Sequence, residues 1–387
     1  MKPFLITDEQ PLPRSTNFQT TTKLIKVTLG SGIFAIPFAY SQAGLLWGVV
    51  LQLLICATQY KSWCTMVNCL GEDKRQTLIE YLSSVYGDRS WIYILAKVMS
   101  ILLNFGCGLS YIILFQTTIG EYFDNTLWCK LVMFFLLFMI IFGFSFGKDL
   151  QMFTPILKYA LVLVYISFAY LSILAVVQYQ KWGLVEPDAK KVMMAFGIMI
   201  FAYDINGVLT EIRVEMEDTL SFKKCLFMAM FLETILYLFF GITSSLLFKS
   251  DTDQSIITNF QEEFKGNYPI EITLSILMIS YVSILIINTL MVNMPVYLLV
   301  NLSPDQIKKF TLKIIYVLCQ MLTAFLYPNF AIVLSIVGCV CCVSLGYIIP
   351  YGMTFHYALK PIYQTINTIV VLFGIAGGVF GIITCFY

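Results

Sequence analysis

The sequence predicts an all-α, polytopic membrane protein of about eleven transmembrane helices, built as a five-plus-five inverted repeat whose first and sixth helices are discontinuous. Three observations predict it. Of the 387 residues, 59% are hydrophobic and only 12% charged, against about 25% charged in a soluble chain. The apolar residues fall into runs of roughly 18 to 27, each long enough to cross a hydrocarbon core ~30 Å thick. Two of those runs, in corresponding places of the two halves, are interrupted by glycine and polar residues.

The same composition excludes several functions. A net charge of +1 leaves no basic domain for nucleic acid. His356 is the single histidine, so no di-iron, bis-histidine haem or histidine-rich zinc centre can be assembled, and no metal site is expected. Gly143-Phe-Ser-Phe-Gly-Lys148 has three residues between its glycines instead of four and follows no soluble strand, which argues against a phosphate loop. Most cysteines, Cys56, Cys107, Cys319, Cys339, Cys341 and Cys342 among them, sit inside apolar runs and read as small packing residues. With no nucleophile triad either, the chain is expected not to be an enzyme and to need no cofactor.

Taken in order, residues 1–19 are polar and read as a cytoplasmic tail without a cleavable signal. Spans follow near Thr20–Tyr40, Gly44–Met66, Trp91–Gly120, Leu127–Phe144 and Phe153–Val177, a first five-helix repeat over 20–178. The second repeat, 192–358, holds spans near Val192–Leu209, Cys225–Phe248, Pro269–Leu302, Phe310–Tyr327 and Asn329–Tyr357, and 362–387 adds the eleventh. Seventeen of the 24 basic residues fall on one side of this layout and six on the other, which predicts the N-terminus inside and the C-terminus outside. Between spans two and three, TLIEYLSSVY (Thr77–Tyr86) places Leu78, Tyr81, Leu82 and Val85 on one face and predicts a short amphipathic surface helix. The stretch 249–267, with Asp251, Asp253, Glu262 and Glu263, reads as a solvated outer loop.

The interruptions carry the functional information. In span one, Leu29-Gly30-Ser31-Gly32-Ile33 precedes Pro37; each glycine costs a helix about 1 kcal/mol, and an unwound turn in a bilayer survives only where protein or a cavity supplies partners. A small-residue packing seam would favour a four-residue spacing, not the two-residue spacing of Gly30 and Gly32. In span six, Phe201-Ala-Tyr-Asp-Ile-Asn-Gly-Val208 combines a glycine with Asp204 at membrane depth. A carboxylate there costs at least ~2.5 kcal/mol and marks a substrate, proton or ion role, or else an ion pair or a half-helix cap. Gly30 and Asp204 lie 174 residues apart, and Val177 and Tyr357, the ends of the two halves, 180 apart. Halves with an odd number of spans must face opposite ways, the pattern of an inverted-repeat secondary transporter. Half-helix N-termini suit a carboxylate and freed carbonyls suit a cation or an ammonium, so a zwitterion fits such a site better than a sugar.

Lys26-Val-Thr-Leu-Gly-Ser-Gly-Ile-Phe-Ala-Ile-Pro-Phe-Ala39, followed by Gly44, resembles the first-helix signature of the amino acid/auxin permease family, within the amino acid, polyamine and organocation superfamily. Phe201-Ala-Tyr203 is similar to that family's sixth-helix motif and Glu215-Met216 to the pair that follows it. Met294-Pro295, Pro328-Asn-Phe330 through Gly338, and Gly346-Tyr-Ile-Ile-Pro350 resemble its later helices in the same order. The resemblance implies an amino acid transporter, with an amino acid as its cargo, the lipid bilayer as its other partner and H+ or Na+ as coupling ion. It implies that Thr28, Leu29, Gly30, Ser31, Gly32 and Ile33 hold the substrate through main-chain atoms, with Phe201 as an aromatic gate, Ala202 and Tyr203 in the unwound turn beside Asp204 and Asn206, and Tyr111 facing the site. An aromatic packing role for Tyr111 stands beside that one.

The chain departs from the family where Ile205-Asn206 replaces Gly-His and Thr210 replaces proline, so Asp204 is the candidate for coupling in place of that histidine. Lys26 stands where sodium-coupled members tend to carry asparagine, which favours protons. A sodium-site hydroxyl would fall at Ser283 or Thr289, or be replaced by Asn288. Glu233, central in span seven, is a second coupling candidate or the partner of Lys97 or Lys158. The alternative to a neutral amino acid transporter is a sensor of the same fold that binds its ligand without net flux.

Overall fold

The computed structural model describes residues 15–71, 76–120, 154–186, 188–277, 306–354 and 361–386, with 132, 134–136, 138 and 139 besides. The spans expected near Leu127–Phe144 and Pro269–Leu302 lie largely outside these residues, as does His356. The described elements are helical, and the one β-type pairing among them is a bridge between Ser15 and Met216.

The first span is two pieces. α1 (Asn17–Thr28) opens with a capping box in which Thr16 Oγ1 accepts from the Gln19 N–H and the Gln19 side chain accepts from the Thr16 N–H. It ends at Leu29, and a 3₁₀ turn, Ser31–Ala35, leads into α2 (Ile36–Ala43) with a bend of 48°. Gly44, at φ 73°, reverses the chain into α3 (Leu45–Leu70). α4 (Leu78–Tyr86) starts on a second capping box, Thr77 with Glu80, and buries Leu78, Tyr81 and Leu82, while Val85 faces outward. α5 (Trp91–Gly120) and α6 (Thr154–Val177) complete the described part of the first half.

The sixth span is broken in the same manner. α7 (Ala189–Ala202) stops, residues 203–208 are non-helical, and α8 (Leu209–Val214) resumes. α9 (Phe222–Phe248) follows, then α10 (Ile256–Glu263), α11 (Tyr268–Leu277), α12 (Gln306–Leu326), α13 (Phe330–Met353) and α14 (Pro361–Phe386). α13 carries two π turns, Gly338–Cys342 and Ser344–Ile348. Among the described residues five helices are long and apolar enough to cross a membrane, and the bent α1/α2 pair makes a sixth.

The outer stretch 249–267 is not the solvated loop its acids suggest. Ile256, Ile257 and Phe260 fall on one side of α10 and are at most 1% exposed, with the Phe260 ring edge-on to Phe248 at 5.0 Å. Glu262 and Glu263 lie exposed at its C-terminal end and Asp251 and Asp253 precede it, so charge count alone misreads a packed helix.

α7 sits at the centre, packed against α2, α3, α13 and α14, while α9 packs against α1, α2, α3 and α6. Both breaks therefore lie inside protein rather than against lipid, which is where a bilayer tolerates unwound backbone.

Candidate functional site

The two breaks meet. A Cβ on Gly32 would stand 2.6 Å from the Ala202 Cα, so only glycine lets the first break lie against the end of α7. A Cβ on Gly30 would stand 2.8 Å from the Tyr111 hydroxyl, which brings α5 to the same place. Between them is a cavity of about 40 Å³ lined by Val27, Thr28, Gly30, Gly32, Leu103, Asn104, Cys107, Tyr111, Phe201, Asp204, Ile205, Gly207 and Val208. A water needs ~10–15 Å³ on this measure, so the cavity takes a small water cluster as it stands.

Of the residues expected at the site, Thr28, Gly30, Gly32, Tyr111, Phe201 and Asp204 line this cavity. The others support it from behind. Ser31 shares a 2.6 Å hydrogen bond with Ser110 of α5, and Leu29, Ile33 and Ala202 are buried in the packing around the breaks. Tyr203 turns away: its hydroxyl donates to Thr234 Oγ1 at 3.0 Å and accepts from Gln52 Nε2 at 3.0 Å, and Tyr40 in turn donates to Gln52 Oε1 at 2.7 Å. Asn206 is a positioning residue, donating its amide to Asp204 Oδ1 while its carbonyl accepts from the Trp63 indole at 2.8 Å. Cys342, in the first π turn of α13, also lies against the Asp204 carboxyl.

Asp204 thus stands between a fixed amide donor and a thiol, with its carboxyl in the cavity wall and no cationic partner among the described residues. The ion pair once open to it is not formed there. Glu233 is elsewhere, on α9 and 1% exposed, with Thr28 beside it. Among the described residues Glu233 forms no ion pair with Lys97, and the Lys158 side chain lies outside the described residues, as do Ser283, Asn288 and Thr289. Among the described residues no set of three or more His, Cys, Asp or Glu side chains converges as metal ligands.

Sequence reading did not place Leu103, Asn104 and Cys107 at the site, one face of α5 that closes the cavity, nor Tyr237. The Tyr237 hydroxyl lies 3.1 Å from both the Thr28 and the Ala202 carbonyl oxygens, the C-terminal ends of the two half-helices. A Tyr about four turns into a span gives no sign of this in one dimension. At the face where α1 begins, Lys23 bonds Glu215 and Ser15, both at 2.6 Å, and closes the base of the two broken spans.

The fold and the chain have counterparts. The solved structure of MhsT in complex with L-phenylalanine superposes with a TM-score of 0.58 at 10% identity, covering 95% of this chain and 98% of that one. The Arabidopsis thaliana amino acid transporters AVT3C and AVT3B are each 23% identical, over 95% of this chain and 90% and 92% of their own lengths. The Saccharomyces cerevisiae vacuolar amino acid transporter 7 is 26% identical over 64% of this chain and 52% of its own length. These relatives are transporters by name, not enzymes. The profile of the family described as transmembrane amino acid transporter protein matches residues 13–387. A multi-pass membrane chain with two broken helices enclosing one cavity, matched by that profile almost from end to end, belongs to the transmembrane amino acid transporter family.

Proposed function

We propose that the protein is a secondary active transporter that carries amino acids, neutral ones foremost, by alternating access and under the drive of a proton gradient. The observation that carries this reading is the meeting of both helix breaks around one cavity with Asp204 in its wall. The N–H groups opening the 3₁₀ turn after Gly30 suit the substrate carboxylate, and Asp204 suits its ammonium group. The bundle holding α1, α2, α7 and α8 then rocks against the rest of the fold, widening the cavity toward one face at a time.

Protons are favoured over sodium by Tyr237. Carbonyls at half-helix C-termini are where such folds hold an alkali cation, and here the Thr28 and Ala202 carbonyls already share a hydroxyl proton. The vacuolar name of the yeast relative supports an acidic organelle as the membrane, with the plasma membrane as the alternative.

Uptake into liposomes, screened over the twenty amino acids, tests the reading. Accumulation should rise as the pH on the loading side falls and persist when choline replaces sodium. Its loss in choline at fixed pH would overturn proton coupling, and binding without accumulation under either gradient would identify a sensor instead.

A further inference from the structure

Glu233 is set apart from the cavity, and its surroundings have one sign of polarity. Its Oε1 is buried and has no hydrogen-bond partner. The groups that face it are Thr28 from α1, Cys56 from α3, Tyr165 from α6, Tyr203 from the second break and Tyr237 from its own helix. α2, also packed on α9, brings only the neutral Tyr40, which lies against Gly241. None of these is a cation, and no described residue forms an ion pair with Glu233. An ionised carboxylate here would be an uncompensated charge, whereas a protonated carboxyl is a neutral donor and acceptor.

The hydroxyls of Thr28 and Tyr237 favour the protonated form, whereas the Tyr165 hydroxyl has no hydrogen-bond partner among the described residues and keeps its proton free. Thr28 Oγ1 already donates its proton to the Leu24 carbonyl at 2.9 Å, so toward Glu233 it offers only lone pairs. A protonated carboxyl would bond it there by donating, which an ionised one cannot do. The Tyr237 hydroxyl, one turn along α9, has its proton committed to the Thr28 and Ala202 carbonyls and likewise presents an oxygen. If the carboxyl loses its proton, the Thr28 hydroxyl must swing from Leu24 to Glu233, which removes a bond from the last turn of α1. Thr28 also lines the cavity. Charge on Glu233 is therefore felt at the substrate site through one side chain.

We propose that Glu233 is the residue on which the coupling proton rides, with Thr28 as its link to the cavity and Tyr237 as the fixed tie between the two half-helices. This rests on the transport reading above and assigns the ion's place within it, leaving Asp204 to the substrate ammonium. One proton binds a carboxylate oxygen from the loading side and leaves to the other side, so a neutral zwitterion crosses with one positive charge.

The test uses the full chain in liposomes with a radiolabelled mixture of neutral amino acids, reading label exchange without a gradient and substrate-driven proton entry with a trapped pH dye. Wild type should show both. E233Q, which keeps the size and a donor toward Thr28, should retain exchange at a rate that no longer varies with pH and should lose proton entry. Wild-type proton entry in E233Q overturns the assignment, and so does a folded E233Q chain that has lost exchange as well. Absence of exchange by wild type overturns the transport reading beneath it instead. If E233Q does not fold, infrared spectra of wild type with carboxyl-labelled glutamate decide: a protonated glutamate band that changes when the amino acids are added supports the proposal, and no such band at neutral pH overturns it.

Discussion

At the scale of single residues, Asp204 and Gly30 carry the sharpest expectations. Asp204→Asn keeps the shape of the side chain and its contact with Asn206 but removes the charge offered to an ammonium group. Concentrative uptake should be abolished while membrane insertion and the size-exclusion profile stay those of wild type; normal accumulation would remove Asp204 from the mechanism. Gly30→Leu meets the Tyr111 hydroxyl at its first carbon. Overpacking of this kind costs about 1–3 kcal/mol, and the rest of the side chain extends into the cavity. Equilibrium binding of radiolabelled substrate should be lost, and an unchanged affinity would contradict the placement of the site. Gly32 and Ala202 explain why a glycine pair two apart was readable as a break and not as a packing seam: each glycine meets a different neighbour.

Among the elements, the helix breaks were legible and the cavity-facing side of α5 was not. A carboxylate is rare in an apolar span and two glycines two residues apart interrupt its helical pattern, so Gly30, Gly32, Asp204 and Gly207 stand out in one dimension. α5 carries Ser100, Asn104, Cys107 and Tyr111 along one helical face, at spacings of four, three and four. That stripe is present in the sequence, but small and polar residues at helical spacing also serve as ordinary packing between membrane helices, so the pattern did not assign Asn104 and Cys107 to the site. Tyr203 was placed in the right turn but its side chain goes to Gln52 and Thr234, since the sequence does not show which of two unwound residues turns inward. α10 had its signal in plain view, Ile256, Ile257 and Phe260 on one face, masked by four acids. Phe260→Ala should destabilise the protein by about 3–5 kcal/mol, the cost of emptying a buried aromatic site, seen as a lower melting temperature in detergent. A change within error would mean that α10 is not packed as described.

For the whole molecule, arithmetic on two interruptions implies an inverted repeat, and the structure breaks the helices at those two interruptions. What the arithmetic omitted is the material between the breaks. The polar ties that run through the interior join residues far apart in sequence: Gln52 to Tyr203, Trp63 to Asn206, Tyr237 to Thr28. Such pairings have no local signature, and each becomes visible only once the helices are stacked.

The polarity of α1 sets the order in which the protein can be made. Asn17, Gln19, Thr20, Thr21, Thr22, Lys23 and Lys26 leave it a poor candidate to enter lipid by itself, and its partners Glu215, Cys225 and Tyr237 lie some 190 to 210 residues downstream. At ~5–20 residues per second, a ribosome needs roughly 10 to 40 s to supply them. The expectation is that α1 waits at the membrane surface during that interval and is drawn in when α9 arrives. A cysteine placed at Leu24, fully buried in the finished fold, should react with a water-soluble maleimide in a nascent chain halted at Gly183 and be protected in the released protein. Equal protection in both would show that α1 enters the bilayer unaided.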